Sequence, residues 1–262
     1  MILAGRTRTT PGPLRVVERN VMAYRRMWLT FVSGLVEPLL YLLSIGIGVG
    51  ALVGDVMGPG GRAIPYDVFV APGMLAAAAM NGAIVDTTYN FFFKFKYSRT
   101  FDAMLSSPLG TTDVAFGEMT WSLLRGTAYA AAFLVAMAVL GLIESAWAVL
   151  AIPGAMLTSF AFAGAGMAAT TWMRGFVDFD YINVVTIPMF LFSATFFPIE
   201  RYPGALEWLV RATPLYQGVA LERSLVLGDV GWAIVAHAAY LAVMGAVGVR
   251  ITAARLGRLL QP

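Results

Sequence analysis

Several ionisable residues lie inside long apolar runs of this chain, and the functional candidates among them are Glu37, Asp86, Arg125 and His237. A charge inside a bilayer is costly, and such residues usually pair with one another or serve transport. Asp86 and Arg125 fall at similar depth in consecutive runs, so a structural ion pair and a transport role both fit them. Glu37 precedes Pro38, where a helix kinks. His237 is interpreted as a hydrogen-bonded interior residue rather than a ligand.

The sequence contains none of the common catalytic or metal-binding patterns. It has one histidine and no cysteine, which excludes multi-histidine metal sites, thiolate ligands and thiol nucleophiles. Its two lysines, Lys94 and Lys96, are followed by Phe95 and Tyr97, so no phosphate-binding loop with a Lys-Ser/Thr ending exists. We therefore expect no catalytic residue, no metal and no cofactor on this chain, and no nucleic-acid partner.

The composition indicates an all-α membrane protein rather than a soluble domain. Hydrophobic residues make up 59% of the 262 positions and charged residues 13%, against about a quarter charged in soluble domains. Six apolar runs approach or exceed the ~20 residues of a helical crossing, and they lack the alternation of a membrane β-barrel. The predicted spans are Leu29–Val53, Val68–Phe93, Val114–Leu140, Trp147–Met173, Tyr181–Phe197 and Trp232–Ile251. No linker divides them, so residues 1–262 are predicted to form a single transmembrane domain.

The distribution of basic residues orients these spans. With six crossings, one face receives most of the positive charge, which marks the cytoplasmic side. The basic residues on that face are Arg6, Arg8, Arg15, Arg19, Arg25, Arg26, Lys94, Lys96, Arg99, Arg174, Arg250, Arg255 and Arg258. The prediction is a multi-pass protein of the cell membrane with both termini in the cytoplasm.

Three segments outside the spans have a character of their own. Residues 1–28 form a cytoplasmic arm in which Leu14, Val17, Val21 and Met22 can share one side of an interfacial helix; the alternative is a polar anchor that only fixes topology. Residues 94–113 form a basic, amphipathic segment between the second and third spans. Residues 198–228, on the outer side, mix apolar and charged residues, which favours two short helices that dip into the outer leaflet.

The order of motifs resembles a known family. The run RTFDAMLSSPLGTTDVAFGEMTW (residues 99–121) resembles the cytoplasmic turn of type-2 ABC exporter permeases, and SATFFPIERYPGALEWLVRATPLYQGVALERSLVLGD (residues 193–229) resembles their outer segment. The run from Glu37 to Leu42, EPLLYL, is similar to the subgroup of lipo-oligosaccharide and daunorubicin-type drug exporters. In one departure, Phe101 to Met104 (FDAM) stand where many relatives have Thr-x-Glu-x-Leu.

The resemblance implies a permease subunit that pairs with a second copy or a homologue and docks on separate ATP-binding subunits, which hold ATP and Mg. In this reading a coupling helix seats in the ATPase, the interfacial helix makes a second contact, and the outer segment forms a lid. The residues implied in coupling are Arg99, Thr100, Phe101, Asp102, Leu105 and Pro108. The residues implied in the lid are Phe197, Pro198, Trp208 and Pro214.

These expectations combine into one functional hypothesis and one rival. The hypothesis is the membrane subunit of an ATP-driven exporter of an amphiphilic cargo, such as a lipid-linked saccharide, a lipid or a hydrophobic drug, with hydrolysis on partner subunits and lipid around it. The rival is a secondary transporter driven by an ion gradient, which needs a functional cluster of Glu37, Asp86 and His237.

Overall fold

A computed structural model describes residues 11–25, 36, 39–58 and 61–260, and the described chain is mostly helical. Several short 3-10 and π-helical segments flank the main helices. The main helices are α1 (Gly12–Tyr24), α2 (Leu39–Val53), α3 (Tyr66–Val85), α4 (Thr100–Leu105), α5 (Thr111–Val139), α6 (Ala151–Thr170), α7 (Asp178–Leu191), α8 (Gly204–Ala212), α9 (Pro214–Leu227) and α10 (Ala233–Leu260).

Four helices are long and apolar enough to cross a membrane, and each coincides with a predicted span. They are Tyr66–Tyr97, in which α3 continues through π-helical turns, Thr111–Val139, Ala146–Thr170 and Ala233–Leu259. The second, third, fourth and sixth predicted spans are therefore present as helices. Of the first predicted span, residues 29–35 and 37–38 lie outside the described residues, and α2 is its shorter described part. The full six-span layout stays a prediction.

The fifth predicted span differs most from expectation. Its helix, α7, ends at Leu191 instead of reaching Phe197, and its 14 residues extend about 21 Å, less than a bilayer core of about 30 Å. Beyond the helix, Ala194 adopts a left-handed φ of 56°. The guanidinium of Arg223 donates to the Ala194 carbonyl at 2.9 Å. A buried cation from another helix thus binds the backbone just beyond the end of α7.

The described helices pack into two apolar layers. One is built around Phe69, Leu75, Phe133 and Met137 at the β-hairpin end of the bundle, and the other contains Met80, Phe101, Met119 and Met167 at the α4 end. The α6–α10 crossing is especially close, because a Cβ on Gly248 would lie 2.3 Å from the Gly164 backbone. Small residues at such crossings let helix backbones approach in a membrane.

A small β-hairpin, which the all-α prediction lacked, connects α2 to α3. Strand β1 (Asp55–Met57) pairs antiparallel with β2 (Ala63–Pro65), and Val56 lies opposite Ile64. Arg62 near the turn forms an ion pair with Glu144, in the loop between α5 and α6. Three-residue strands carry too little alternation to be recognised from sequence.

Candidate functional site

Helix α4 is the short element between α3 and α5, inside the segment predicted to couple to an ATPase. Arg99 precedes it with a left-handed φ of 45°, which turns the chain sharply after the π-helical end of α3. Phe101 is fully buried, with its ring 4.9 Å from that of Phe91. Met104, one turn later, is buried on the same face. These two side chains fix α4 against the bundle.

The opposite side of α4 and the turn that follows it are exposed. Arg99, Asp102, Ser106 and Pro108 are exposed, while Thr100 and Leu105 are half-buried at the margins. Of the six residues expected to take part in coupling, Phe101 therefore points inward and positions the helix. The others surround a surface that a partner protein can reach.

The segment after α4 joins it tightly to α5. The Gly110 amide donates to Asp113 Oδ2 at 2.9 Å and so satisfies one free amide at the start of α5. Only five residues separate Leu105 from Thr111, where α5 begins. The connection between α4 and α5 is therefore short.

Helix α1 lies across the same end of α5. Val16, Val17 and Asn20 are its buried residues. A Cβ on Gly117 of α5 would come within 2.4 Å of the Val16 Cβ, so the two helices touch where α5 has no side chain. Of the four apolar residues predicted to share the lipid-facing side of this helix, Leu14, Val21 and Met22 are exposed. Val17 is buried against the protein.

A buried ion pair fastens α1 to the two spans beside α4. The Lys94 ammonium lies 2.6 Å from Glu118 Oε2, and both side chains are largely buried. Asn20 of α1 donates to Glu118 Oε1 at 3.2 Å and accepts from Lys94 at 3.1 Å. Three elements, α1, the π-helical end of α3 and α5, thus meet at one polar group.

A second ion pair lies deeper in the bundle. Arg125 Nη1 is 2.6 Å from Asp86 Oδ1, which also accepts from Asn90 at 2.7 Å. Asn90 in turn donates to the Tyr24 hydroxyl at 2.9 Å, and the Arg125 guanidinium lies 5.3 Å from the Tyr24 ring. Asp86 begins a π-helical turn of α3, a feature frequent at functional sites.

This second pair consists of two buried, oppositely charged side chains. Asp86 and Arg125 are each less than a tenth exposed, and each compensates the other. Burial, followed by the negative charge of Asp86, raises the pKa of Tyr24 to about 12, so its hydroxyl stays neutral. The pairing of Asp86 with Arg125 was one of the two roles expected from sequence, whereas the Lys94–Glu118 pair was not foreseen.

An aromatic cluster joins the end of α3 to the base of α7. The ring of Tyr97 stacks on Phe176 at 5.0 Å, and the ring of Tyr89 stacks on Phe179 at 4.2 Å. Phe92 contacts both Phe176 and Phe179 edge-on. Phe179 is also the only buried residue of α7, so this cluster is the anchor of that helix near α4.

On the other side of the bundle, α8 and α9 form the two predicted half-polar helices. The Tyr240 hydroxyl of α10 donates to the last carbonyl of α8, Ala212, at 2.9 Å. Gln217 donates to the Arg211 carbonyl and contacts His237. His237 is thus a hydrogen-bonded residue of α10 that contacts α9.

The residues expected in a lid lie on the hairpin formed by α8 and α9 and in the segment that precedes it. Trp208 is 77% exposed and Phe197 59% exposed, while Pro198 is half-buried. Pro214 occupies the first turn of α9 at the hairpin tip and turns inward. Phe197 and Pro198 precede α8, Trp208 lies on α8, and Pro214 begins α9.

Two buried charges of α9 were not recognised from sequence. Arg223 donates to the Phe69, Ala194 and Thr195 carbonyls and lies 3.9 Å over the Phe69 ring. Glu222 is fully buried, faces Gly154, and has no hydrogen-bond partner on either oxygen. Both residues lie in the half-polar segment 198–228, whose sequence pattern does not indicate which of its ionisable side chains are buried.

Of the intramembrane candidates, Asp86 and Arg125 meet, and His237 lies in a separate hydrogen-bonded group. Glu37 falls outside the described residues. Within the described part of the chain, no three His, Asp or Glu side chains are grouped to hold a metal ion.

Four described helices that are long and apolar enough to cross a membrane indicate an integral membrane protein. Comparison with known proteins gives its family: the ABC-2 type transporter family matches residues 14–227, and the chain belongs to it.

Curated relatives agree with this assignment. The chain is 30% identical to nodulation protein J of Rhizobium meliloti strain 1021 over 251 residues, which cover 95% of this chain and 94% of the relative. It is 33% identical to nodulation protein J of Rhizobium leguminosarum bv. trifolii over 217 residues, 82% of this chain and 81% of the relative. The expected family is confirmed, and the relatives' name agrees with the nodulation branch of the resembled subgroup.

Proposed function

We propose that this chain is the permease subunit of an ATP-driven exporter, with α4 as the element that an ATP-binding subunit moves. The observation that carries the proposal is the two-sided character of α4. Phe101 and Met104 fix one face in the bundle, and Asp102, Ser106 and Pro108 leave the other face free. A short helix held this way transmits a push as rigid-body motion instead of absorbing it.

Two further contacts, a hydrogen bond and an ion pair, extend the same mechanism to α5, α1 and the extension of α3. A displacement of α4 moves α5 through the Gly110–Asp113 connection. Helix α1 follows, because Asn20 bonds to Glu118 of α5 and to Lys94 of the α3 extension. ATP binding and hydrolysis belong to the partner subunits, where ATP and Mg reside.

The cargo we propose is an amphiphile such as a lipid-linked saccharide. Support comes from the relatives, which are called nodulation protein J, and from the resemblance of the chain to lipo-oligosaccharide exporters. A lipid or a hydrophobic drug is the neighbouring cargo class. The exposed outer residues Phe197 and Trp208 fit the proposed role of α8 and α9 as a cover over the exit.

A second copy of the permease, or a homologue, completes the path in this proposal. Val184, Ile187 and Leu191 present an apolar side of α7 that no described residue covers. The remaining surface faces membrane lipid, with both termini in the cytoplasm.

The coupling role is tested by reversing charge on the free face of α4. Arg99→Glu and Asp102→Lys are expected to abolish ATP-dependent transport of an acylated saccharide in vesicles that contain the permease and its ATP-binding subunit. Both residues are exposed, so membrane insertion and thermal stability should stay unchanged. Arg258→Glu, an exposed arginine near the end of α10, is the matched control and should transport normally.

Two measurements separate the parts of this proposal. Undiminished transport by both α4 variants would reject α4 as the coupling element. Rapid transport by the purified permease alone, without nucleotide or ATP-binding subunit, would reject the ATP-driven mechanism and favour the secondary transporter. No described contact favours that rival, since Asp86 is paired with Arg125 and His237 belongs to another group.

A further inference from the structure

Helix α7 stands away from the bundle along its middle and leaves an apolar cavity of about 320 Å³. The cavity reaches from Tyr181 to Met189, about 12 Å of helix at 1.5 Å per residue. Its other walls are α3, α6 and α10, three of the four candidate spans, and Pro214 of the hairpin closes its far end. It therefore lies at bilayer depth and is open on one side, because Tyr181 and Val185 are 69% and 63% exposed.

The lining excludes a polar occupant. Apart from Tyr181, only Thr88 and Thr186 carry a polar side-chain atom, and the Thr88 hydroxyl already donates to the Ile84 carbonyl at 2.6 Å. Phe162, Ala165 and Ala169 form the α6 wall. A gap of this kind in a bilayer is filled by hydrocarbon, since water there would lose its hydrogen bonds.

A positively charged side chain, that of Arg255, lies near the α4 end of the cavity. Ala169 lines that end, and two residues later Thr171 accepts from Arg255 Nε at 2.8 Å. The Arg255 guanidinium lies 3.9 Å over the Trp172 ring, and no carboxylate of the described chain is within ion-pair distance of it. Since Arg carries five N–H donors, this anchored group keeps donors for an anion.

Two acidic residues begin α7, Asp178 and Asp180, and the first of them is already engaged. The Asp178 carboxylate accepts from the Arg174 and Gly175 amides, and these hydrogen bonds lower its pKa. Arg174 itself is exposed. Anionic lipid headgroups collect at basic residues on the cytoplasmic side of membranes.

We propose that this cavity is a binding site for one acyl chain of an anionic phospholipid of the cytoplasmic leaflet, whose headgroup is bound by Arg255. The bound chain supports α7 along the stretch where the protein leaves it unpacked. The site does not require the chain to be an exporter, so its test is independent of transport.

The experiment uses full-length protein in phosphatidylcholine vesicles that contain phosphatidylglycerol with a photoreactive diazirine in its acyl chain. After illumination, mass spectrometry of peptides is expected to find adducts concentrated in Phe162–Ala169 and Tyr181–Met189. Ala169→Phe, which fills the cavity from α6, should lower these adducts about tenfold, because the ring takes the place of several methylene groups. Ala128→Phe, on an exposed side of α5, is the control and should leave them unchanged.

Two further variants keep the test decisive. Val185→Trp fills the cavity from the α7 side and should have the same effect if Ala169→Phe folds poorly. Arg255→Gln should reduce labelling by the phosphatidylglycerol probe but not by a phosphatidylcholine probe.

Three outcomes would overturn the proposal. One is uniform labelling of all spans. A second is labelling that an acylated saccharide displaces but excess phosphatidylglycerol does not. The third is protein–protein cross-linking through α7 in place of lipid adducts, which would make a second copy the occupant.

Discussion

At the scale of residues, the buried ion pairs are the feature with the largest energetic consequence. Asp86 and Arg125 are both removed from water, and each is compensated mainly by the other. The remaining oxygen of Asp86 and Nε of Arg125 have no hydrogen-bond partner. Few other contacts therefore compensate either charge if its partner is removed. Breaking such a pair leaves an uncompensated buried charge, whereas replacing both members by apolar residues is often neutral.

We therefore expect Arg125→Met to destabilise the folded protein by about 3–5 kcal/mol, because Asp86 is left unpaired. The double variant Asp86→Leu with Arg125→Met should recover most of that loss. Thermal unfolding of the detergent-purified protein measures both. A double variant less stable than the single one would contradict a simple pairing role and favour a requirement for charge at this position.

At the scale of elements, the arrangement of α1 over α5 depends on one glycine. Gly117 lies directly under Val16, and any side chain there occupies the space of the Val16 methyls. Asn20 and Tyr24, further along α1, reach the two ion pairs only if this contact is kept. The packing of α1 and the polar network are thus one cooperative unit.

Gly117→Val should push α1 away from α5 and expose its arginines. Trypsin is then expected to cleave after Arg15 and Arg19 about tenfold faster than in the parent protein, since cleavage follows the population of the opened state. Gly257→Ala is the matched control, because a Cβ at this α10 glycine meets nothing within 4 Å. Equal cleavage rates for Gly117→Val and the parent would show that α1 is held by something other than this contact.

At the scale of the whole molecule, the asymmetry of charge and the position of α4 predict the same orientation. Arg99 and Lys96 lie at the α4 end, and the β-hairpin and α8 lie toward the other end of the spans. Basic residues are retained on the cytoplasmic side during insertion. Both chain ends and α4 should therefore face the cytoplasm.

The lack of native cysteine makes this orientation directly measurable. Ser106→Cys on α4 and Asp229→Cys after α9 are both at exposed positions. In intact cells a membrane-impermeant maleimide should label Asp229→Cys only, and Ser106→Cys should react once the membrane is opened. Labelling of Ser106→Cys in intact cells would reverse the proposed topology.

Local sequence was sufficient for the spans that are uniformly apolar. The predicted Val68–Phe93 and Val114–Leu140 agree within a few residues with the helices Tyr66–Tyr97 and Thr111–Val139. Hydropathy succeeds there because every residue of such a run has the same preference for lipid. The pairing of Asp86 with Arg125 was accessible for a related reason, since two opposite charges at equal depth in neighbouring spans have few other partners.

Other features depend on residues far apart in the chain, which no local pattern records. Arg223, about thirty residues along the chain, donates to the Ala194 and Thr195 carbonyls just beyond the end of α7. The sequence predicted that Phe101 contacts the ATP-binding subunit, whereas in the structure its side chain is buried in the bundle against Phe91. Composition and the distribution of charge thus predicted a helical membrane protein with one basic side, because the free energy of transfer into lipid is a sum over single residues. Which side of α4 is free, and where α7 leaves a cavity, followed from packing, because both depend on the simultaneous position of several helices.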